Sequence, residues 1–309
     1  MTTEALALPA GRSPRGRLMR GQAGPVAVVV LAIVAAWYLA CLPMNWDALQ
    51  RAMPDAASRT LAEQFVAAIN LPDGKIAAPH QIVAAMVQGL FFEPPFGRRS
   101  LVYHSMITLS SALSGFVLGA VLGIILAVLI VHYRSMRKSL MPWVIISQTI
   151  PILALVPLLN AVLGQLDLPI IVPKALIATY LCFFPVTVGM VKGLTSPDPM
   201  QLDLMRTYDA SKAQTFWKLR WPAATPYLFA SLKIAIAGCI VGAIVAEMPT
   251  GAQGGLGSRL LAGYQYNNLR LVLWAALFTA ALLSAGLISL IALAERRVLA
   301  SMGVAGGGR

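Results

Sequence analysis

The chain has 309 residues, of which 58% are hydrophobic and 12% charged. A soluble domain carries roughly 25% charged residues, so most of this chain is solvated by lipid or by other apolar helices. Its net charge of +12 is scattered among apolar stretches rather than gathered in a polar module, which argues against nucleic-acid binding.

Residues 1–23 form a basic tail with Arg12, Arg15, Arg17 and Arg20. A spanning helix needs about 20 mainly apolar residues. Six segments qualify: 24–43, 101–131, 140–163, 169–193, 227–249 and 268–293. The fold class is therefore all-α, a polytopic membrane protein with about six transmembrane helices. The first segment is long for a signal-peptide core, and Tyr38 fits poorly before Cys41 in a lipoprotein site, so the segment is read as a retained span. With the N-terminus in the cytoplasm, 15 of the 24 Lys and Arg fall on cytoplasmic segments and 8 outside, as positive-inside placement requires. Lys233 lies within the fifth span and can snorkel inward.

Residues 44–99 form the one sizeable extracytoplasmic segment. Stretches 56–69 and 79–92 have helical composition, with Ile82, Val83, Met86, Val87 and Leu90 at helical spacing. A surface-lying or re-entrant helix is expected there rather than a separate domain. In the second span, Ser111, Gly115, Gly119 and Gly123 repeat every four residues. Such a stripe allows close backbone approach to another helix, in this chain or in a second copy. The third span carries Gln148, Thr149, Pro151, Pro157 and Asn160, and Pro169, Pro173 and Pro185 bracket and break the fourth. Prolines and polar groups at membrane depth suit a translocation path or simply fix helix tilt. The cysteines, Cys41, Cys182 and Cys239, are far apart and read as small buried apolar residues.

Between the fourth and fifth spans lies a polar, basic stretch. Asp198-Pro199 is an N-cap with proline at the first helical position, starting a short helix to about Thr207. Asp209 then occupies a left-handed turn. Ser211 with Gln214 forms a capping box that opens a second short helix, which Pro222 ends. The elbow either docks a partner or lies on anionic lipid.

The run Asp203-Leu204-Met205-Arg206-Thr207-Tyr208-Asp209-Ala210-Ser211 through Trp221-Pro222 resembles the cytoplasmic coupling loop of bacterial ABC importer permeases. Asp203 stands at the family's Glu position, Asp209 at its Gly position and Trp221-Pro222 at its Leu-Pro. The segments His104-Ser105-Met106-Ile107-Thr108-Leu109, Ile150-Pro151-Ile152-Leu153-Ala154-Leu155-Val156-Pro157-Leu158, Phe183-Phe184-Pro185-Val186, Ala246-Glu247-Met248 and Gly254-Gly255-Leu256-Gly257 are also similar to family motifs. The closest resemblance is to the nitrate/sulfonate/taurine branch, which includes pyrimidine-precursor and riboflavin permeases.

That resemblance implies a type I importer permease fold, with a core permease domain at 100–298, a coupling loop at 195–225 and a cytoplasmic tail at 299–309. It implies an ATP-binding ABC subunit docked on Asp203, Arg206, Asp209, Ala210, Ser211, Phe216 and Pro222, an external or periplasmic solute-binding protein, and a second permease copy, as a homodimer in the bilayer of the bacterial inner membrane. Gln148, Thr149, Asn160 and Glu247 are the candidates for the path. Glu247 reads either as an interfacial carboxylate paired with Arg259 or Lys174, or as a gating group. A self-sufficient secondary transporter or channel is the alternative, and a membrane anchor for a haem or quinone enzyme is another. The sequence shows no inverted internal repeat for the one and no paired helix histidines for the other. Gly74-Lys75 is followed by Ile76, so there is no phosphate loop, and Gly255-Leu256-Gly257 lacks the third glycine of a dinucleotide fingerprint. His80, His104 and His132 stand isolated. No catalytic residue, cofactor or metal site is expected.

Overall fold

The computed structural model describes residues 23–166, 168–249 and 254–303. The four basic-tail arginines and Arg309 lie outside the described residues. Among the described residues every regular element is helical. The chain divides into two compact units at Val83.

In the first unit, α1 (Ala23–Ala52) continues nine residues past the expected end of the first span. The extension is anchored by polar chemistry. Asn45 is fully buried. Its amide donates to the carbonyls of Ala68 (3.1 Å) and Ile76 (2.9 Å), and it accepts the Ile76 N–H at 2.9 Å. The next helix, α2 (Leu61–Ile69), starts at a Thr60–Glu63 capping box, and Leu49, Ala56 and Ala68 form a small core. Segment 56–69 thus packs with the end of α1 in a compact unit. The unit boundary falls within α3 (Pro79–Val87), which ends in a π-turn, Gln88–Phe92.

The second unit is built on three helices: α4 (Leu101–His132), α7 (Ile171–Leu194) and α10 (Trp221–Glu247). Glycine lets them touch. A Cβ at Gly115 would stand 2.4 Å from the Ala178 Cβ, one at Gly119 2.5 Å from the Cys182 Cβ, and one at Gly123 2.8 Å from the Val186 Cβ. The four-residue stripe, Ser111 included, is buried, and its three glycines face a four-residue stripe on α7 of the same chain. Gly189 and Gly193 of α7 likewise meet Ser231 and Ala224 of α10. Around these contacts Ala112, Met190, Ala235, Cys239 and Ile240 pack into the main core. In lipid, such packing and interhelical bonds replace the hydrophobic effect as the cohesive force. Cys182 and Cys239, distant in sequence, meet side chain to side chain here.

The third expected span is two helices, α5 (Arg134–Ser147) and α6 (Ile152–Gly164), bent by 95°. Pro151 caps α6 and makes the break, whereas Pro142 and Pro157 sit inside helices. The Tyr180 hydroxyl of α7 donates to the Ser147 carbonyl at the end of α5, holding the corner. The bent pair carries the chain back between the two ends of the neighbouring helices, as one broken span would. The start of α4 (His104) and the start of α7 (Lys174) both bond the segment Gly254-Gly255. The end of α4 (His132) and the end of α7 (Leu194) both meet residues 216–220. The chain between α4 and α7 must return from one end to the other.

Two proline expectations are corrected. Pro185 does not break α7, which runs through it; the carbonyl left without a helical donor, that of Leu181, lies against Gly238 of α10. Nor does Pro222 end the second elbow helix. It sits in the first turn of α10, where no intrahelical donor is needed, and α9 (Lys212–Thr215) runs through a π-turn, Phe216–Arg220, into α10. The unit closes with α11 (Leu256–Gln265) and α12 (Arg270–Ser301). Lys233 does not snorkel freely: it pairs with Glu295 of α12 at 2.8 Å.

Candidate functional site

Two polar constellations stand out in the second unit, at opposite ends of α4, α7 and α10. The first is the elbow. Its helix α8 (Pro199–Thr207) begins at Asp198, whose carboxylate accepts the Met200 N–H at 2.9 Å while Gln201 reaches back to the Asp198 N–H at 3.3 Å. It ends in a Schellman motif: the Ala210 N–H donates to the Met205 carbonyl at 3.0 Å and the Asp209 N–H to the Arg206 carbonyl at 2.9 Å. That motif needs a left-handed residue, and Asp209 supplies it at φ 50. Aspartate is among the few residues that tolerate this conformation besides glycine, so the aspartate at the family's glycine position keeps the turn. Ser211 and Gln214 then exchange bonds at 3.2 and 2.8 Å to start α9.

Three contacts fix the elbow to the spans. Phe216 is buried and meets the His132 ring edge-on at 5.2 Å. Arg220 donates to the Leu194 carbonyl at 3.2 Å. Trp221 packs beside Phe216 at 5.9 Å. Asp203 and Arg206 pair with each other at 2.8 Å in the open, an exposed pair worth little stability. On the outward face of α8, Met200, Leu204 and Tyr208 recur every four residues and are 79%, 55% and 76% exposed. Reading polar residue types alone misses this stripe; its four-residue spacing is the signal that finds it.

The second constellation is buried. Helix α11 starts with Gly255 at φ 108, preceded by Gly254 at φ 79. The first N–H groups of a helix lack partners within it. Here three are capped from other helices: Gly255 N–H by His104 Nδ1 (2.9 Å), Leu256 N–H by Thr108 Oγ1 (2.9 Å) and Gly257 N–H by Glu247 Oε2 (3.0 Å). The Thr108 hydroxyl also donates to Glu247 Oε2 at 2.9 Å. His104 Nε2 faces the Arg98 carbonyl at 2.9 Å. A carbonyl can only accept, so Nε2 carries the proton and Nδ1 is free to accept from Gly255. The carboxylate also sits at the positive end of α11. Close approach explains the glycines: a Cβ at Gly255 would lie 2.2 Å from the Glu247 carboxyl carbon, and one at Gly257 2.1 Å from the Ile244 carbonyl oxygen. Three segments that resemble family motifs thus meet at one point, and His104 is a central member instead of an isolated ring.

Among the path candidates, Glu247 is fully buried. It bonds Thr108 and Gly257 and also attracts the buried Lys174 through space, whose ammonium donates to the Gly254 carbonyl at 3.5 Å. In this conformation Glu247 does not face an open route. Gln148 and Thr149 lie elsewhere, at the corner between α5 and α6, half-buried and exposed respectively. Asn160 is half-buried on α6, and its Nδ2 has no hydrogen-bond partner among the described residues. The four candidates are thus divided between the α5–α6 corner, α6 and the end of α10, and α6 packs against the end of α10 through Val156 and Ala246. No group of His, Cys, Asp and Glu with metal-binding geometry occurs among the described residues.

Residues 119–300 match the family model described as binding-protein-dependent transport system inner membrane component. This is more than half the chain, which belongs to that family. Similar proteins include one of Haemophilus influenzae named "Probable ABC transporter permease protein", 33% identical over 154 residues, or 50% of this chain and 61% of that one. The formylaminopyrimidine transport permease protein ThiX of Halalkalibacterium halodurans is 32% identical over 59% of this chain and 68% of its own length. The riboflavin transport system permease protein RibX of Chloroflexus aurantiacus is 32% identical over 69% and 76%. The chain is thus a multi-pass permease subunit of an import system, with all-α architecture.

Proposed function

We propose that this subunit passes a small organic or anionic solute, of the sulfonate, nitrate, taurine or pyrimidine-precursor type, through the inner membrane, driven by a separate ATP-hydrolysing chain. An external binding protein delivers the solute, and a second copy of this chain completes the path. The elbow is the observation that carries this reading. It projects between two spans, is rigidly capped at both helices, and offers Met200, Leu204 and Tyr208 to a partner's groove. Asp203, Arg206, Asp209, Ala210 and Ser211 hold the elbow in shape behind that face, and Phe216 and Pro222 transmit its motion to α10. The elbow and both termini are cytoplasmic, in keeping with the charge bias.

Gln148, Thr149 and Asn160 border the route where the third span bends, since polar groups at membrane depth are cheaper against water or protein than against lipid. Glu247 shapes the far end of that route by holding the loop before α11. The test is to co-express the permease with its ATP-hydrolysing chain and to replace Leu204 by Arg. ATPase copurification and uptake should both fall at least tenfold while the amount of inserted permease stays the same. Uptake that continues without any ATPase would instead establish a self-sufficient transporter or channel.

A further inference from the structure

Behind the elbow, on the side of α8 opposite the exposed stripe, is a cavity of about 360 Å3. Its wall includes His132, Leu202, Arg206, Lys212, Thr215 and Arg220, and no carboxylate. On α8, Leu202 and Arg206 stand about 200° around the helix from Met200 and Leu204. A partner bound to the outward stripe therefore leaves this cavity facing the bilayer side. His132 ends the α4 span, Arg220 immediately precedes the α10 span and Lys212 opens the short helix that leads into it, which puts the cavity at the water–lipid boundary.

Its cationic groups are unevenly occupied. Arg206 is paired with Asp203 (2.8 Å) and Arg220 holds the Leu194 carbonyl (3.2 Å) with one nitrogen of its fork. Lys212 has no ion-pair partner among the described residues. His132 Nδ1 donates to the Val128 carbonyl at 3.0 Å, so its Nε2 is left to bond something else. The Thr215 hydroxyl adds a neutral donor. Two guanidinium groups, an ammonium, an imidazole and a hydroxyl around one concavity match the charge and the acceptor oxygens of a phosphate. Basic pockets between helices on the cytoplasmic side of membranes take acidic lipid headgroups for this reason.

We propose that this cavity binds the phosphate of one acidic phospholipid, which ties the elbow to the ends of α4 and α10. The site rests on the cytoplasmic placement of the elbow but not on its docking to an ATPase. A bound headgroup stiffens the lever between the partner's groove and α10, so coupling depends on acidic lipid even though the lipid touches neither solute nor nucleotide.

The full-length permease, purified alone, is incubated with phosphatidylglycerol, phosphatidylcholine or inorganic phosphate, and adducts are counted by native mass spectrometry. One phosphatidylglycerol should be retained in preference to phosphatidylcholine. Lys212→Gln should weaken that retention about fivefold, the factor expected for one cationic group near a membrane surface, and adding His132→Gln should weaken it further. Lys218→Gln, on the same elbow but off the cavity wall, should change nothing. Equal retention by wild type and both cavity variants overturns the site. Displacement of the lipid by millimolar inorganic phosphate overturns the lipid as occupant and assigns the cavity to a soluble phosphate. Loss of the adduct on adding a copurifying ATPase also overturns the lipid, in favour of an acidic side chain of that partner. ATPase copurification is scored separately, so failed docking with intact lipid retention counts against the coupling reading alone.

Discussion

At the elbow, every cap comes from within a few residues of the helix it serves: Asp198 and Gln201 for α8, Asp209 for its end, Ser211 and Gln214 for α9. At the far end of the same three spans, the caps of α11 come from residues 10 to 151 positions away in sequence. The elbow is exposed and its ion pair sits in water. The far end is dry, with Thr108 and Glu247 fully buried and His104 5% exposed. A surface device that meets a partner can tolerate polar substitution, because water replaces a lost bond. A buried knot cannot, because each bond removed leaves its partner unsatisfied. Substitutions at the two ends should therefore fail in different ways: lost coupling at the elbow, lost structure at the knot.

The largest effect is expected at Gly255→Ala. The new Cβ meets the Glu247 carboxylate at 2.2 Å from its carbon, on a backbone with φ 108. A cost of about 3 kcal/mol or more follows from overpacking and backbone strain together, and monodisperse protein should vanish in detergent size-exclusion profiles. A well-behaved variant would show that the loop before α11 is not tightly set.

Glu247→Ala comes next. It leaves the Gly257 N–H without its acceptor in a buried place, costing about 1–3 kcal/mol, while the Thr108 hydroxyl can turn to the His104 carbonyl at 3.1 Å. Glu247→Gln keeps an acceptor and should lose less than half as much, read as a smaller drop in detergent Tm. If both variants keep the wild-type Tm and lose uptake, Glu247 works on the solute route and the contrast between the two ends collapses.

Asp209→Pro reverses the pattern. Proline removes the N–H that bonds Arg206 and cannot adopt φ 50. Uptake should fall at least tenfold with the Tm of the spans little changed, and Asp203→Lys should act in the same direction more weakly. A large fall in Tm for Asp209→Pro would mean that the elbow is part of the core.

The smallest effect sharpens the comparison. Asp209→Gly relieves a left-handed conformation that costs a residue with a side chain roughly 1 kcal/mol. Hydrogen exchange at the Ala210 amide should slow by up to about fivefold, with uptake preserved. No change there would mean that the aspartate carries no strain.

Some of this was legible in the sequence because it is local. Hydropathy over a window the length of a bilayer finds the spans, and capping depends on residues three or four apart, so the helix starts at Asp198 and Ser211 and the turn at Asp209 could be read directly. The same locality limits what prolines reveal. Pro151 breaks a span and Pro185 does not, and the difference lies in what faces the freed backbone: the Tyr180 hydroxyl reaches the broken corner, while Gly238 lies against the unbroken helix. The glycine stripe of α4 announces a close neighbour; only the fold decides that the neighbour is α7 of the same chain.

The sequence by itself determined that this is a helical membrane protein with a capped polar elbow, because burial in lipid demands long apolar helices and caps act over a single turn. The tertiary structure decided which distant residues became partners. His104 and Thr108 look unremarkable within their own helix, and Glu247 stands out there only as a charge at membrane depth. They become a site because close packing of α4 and α10 brings them to the three bare N–H groups that open α11, and a buried donor must find its acceptor wherever the chain has placed one.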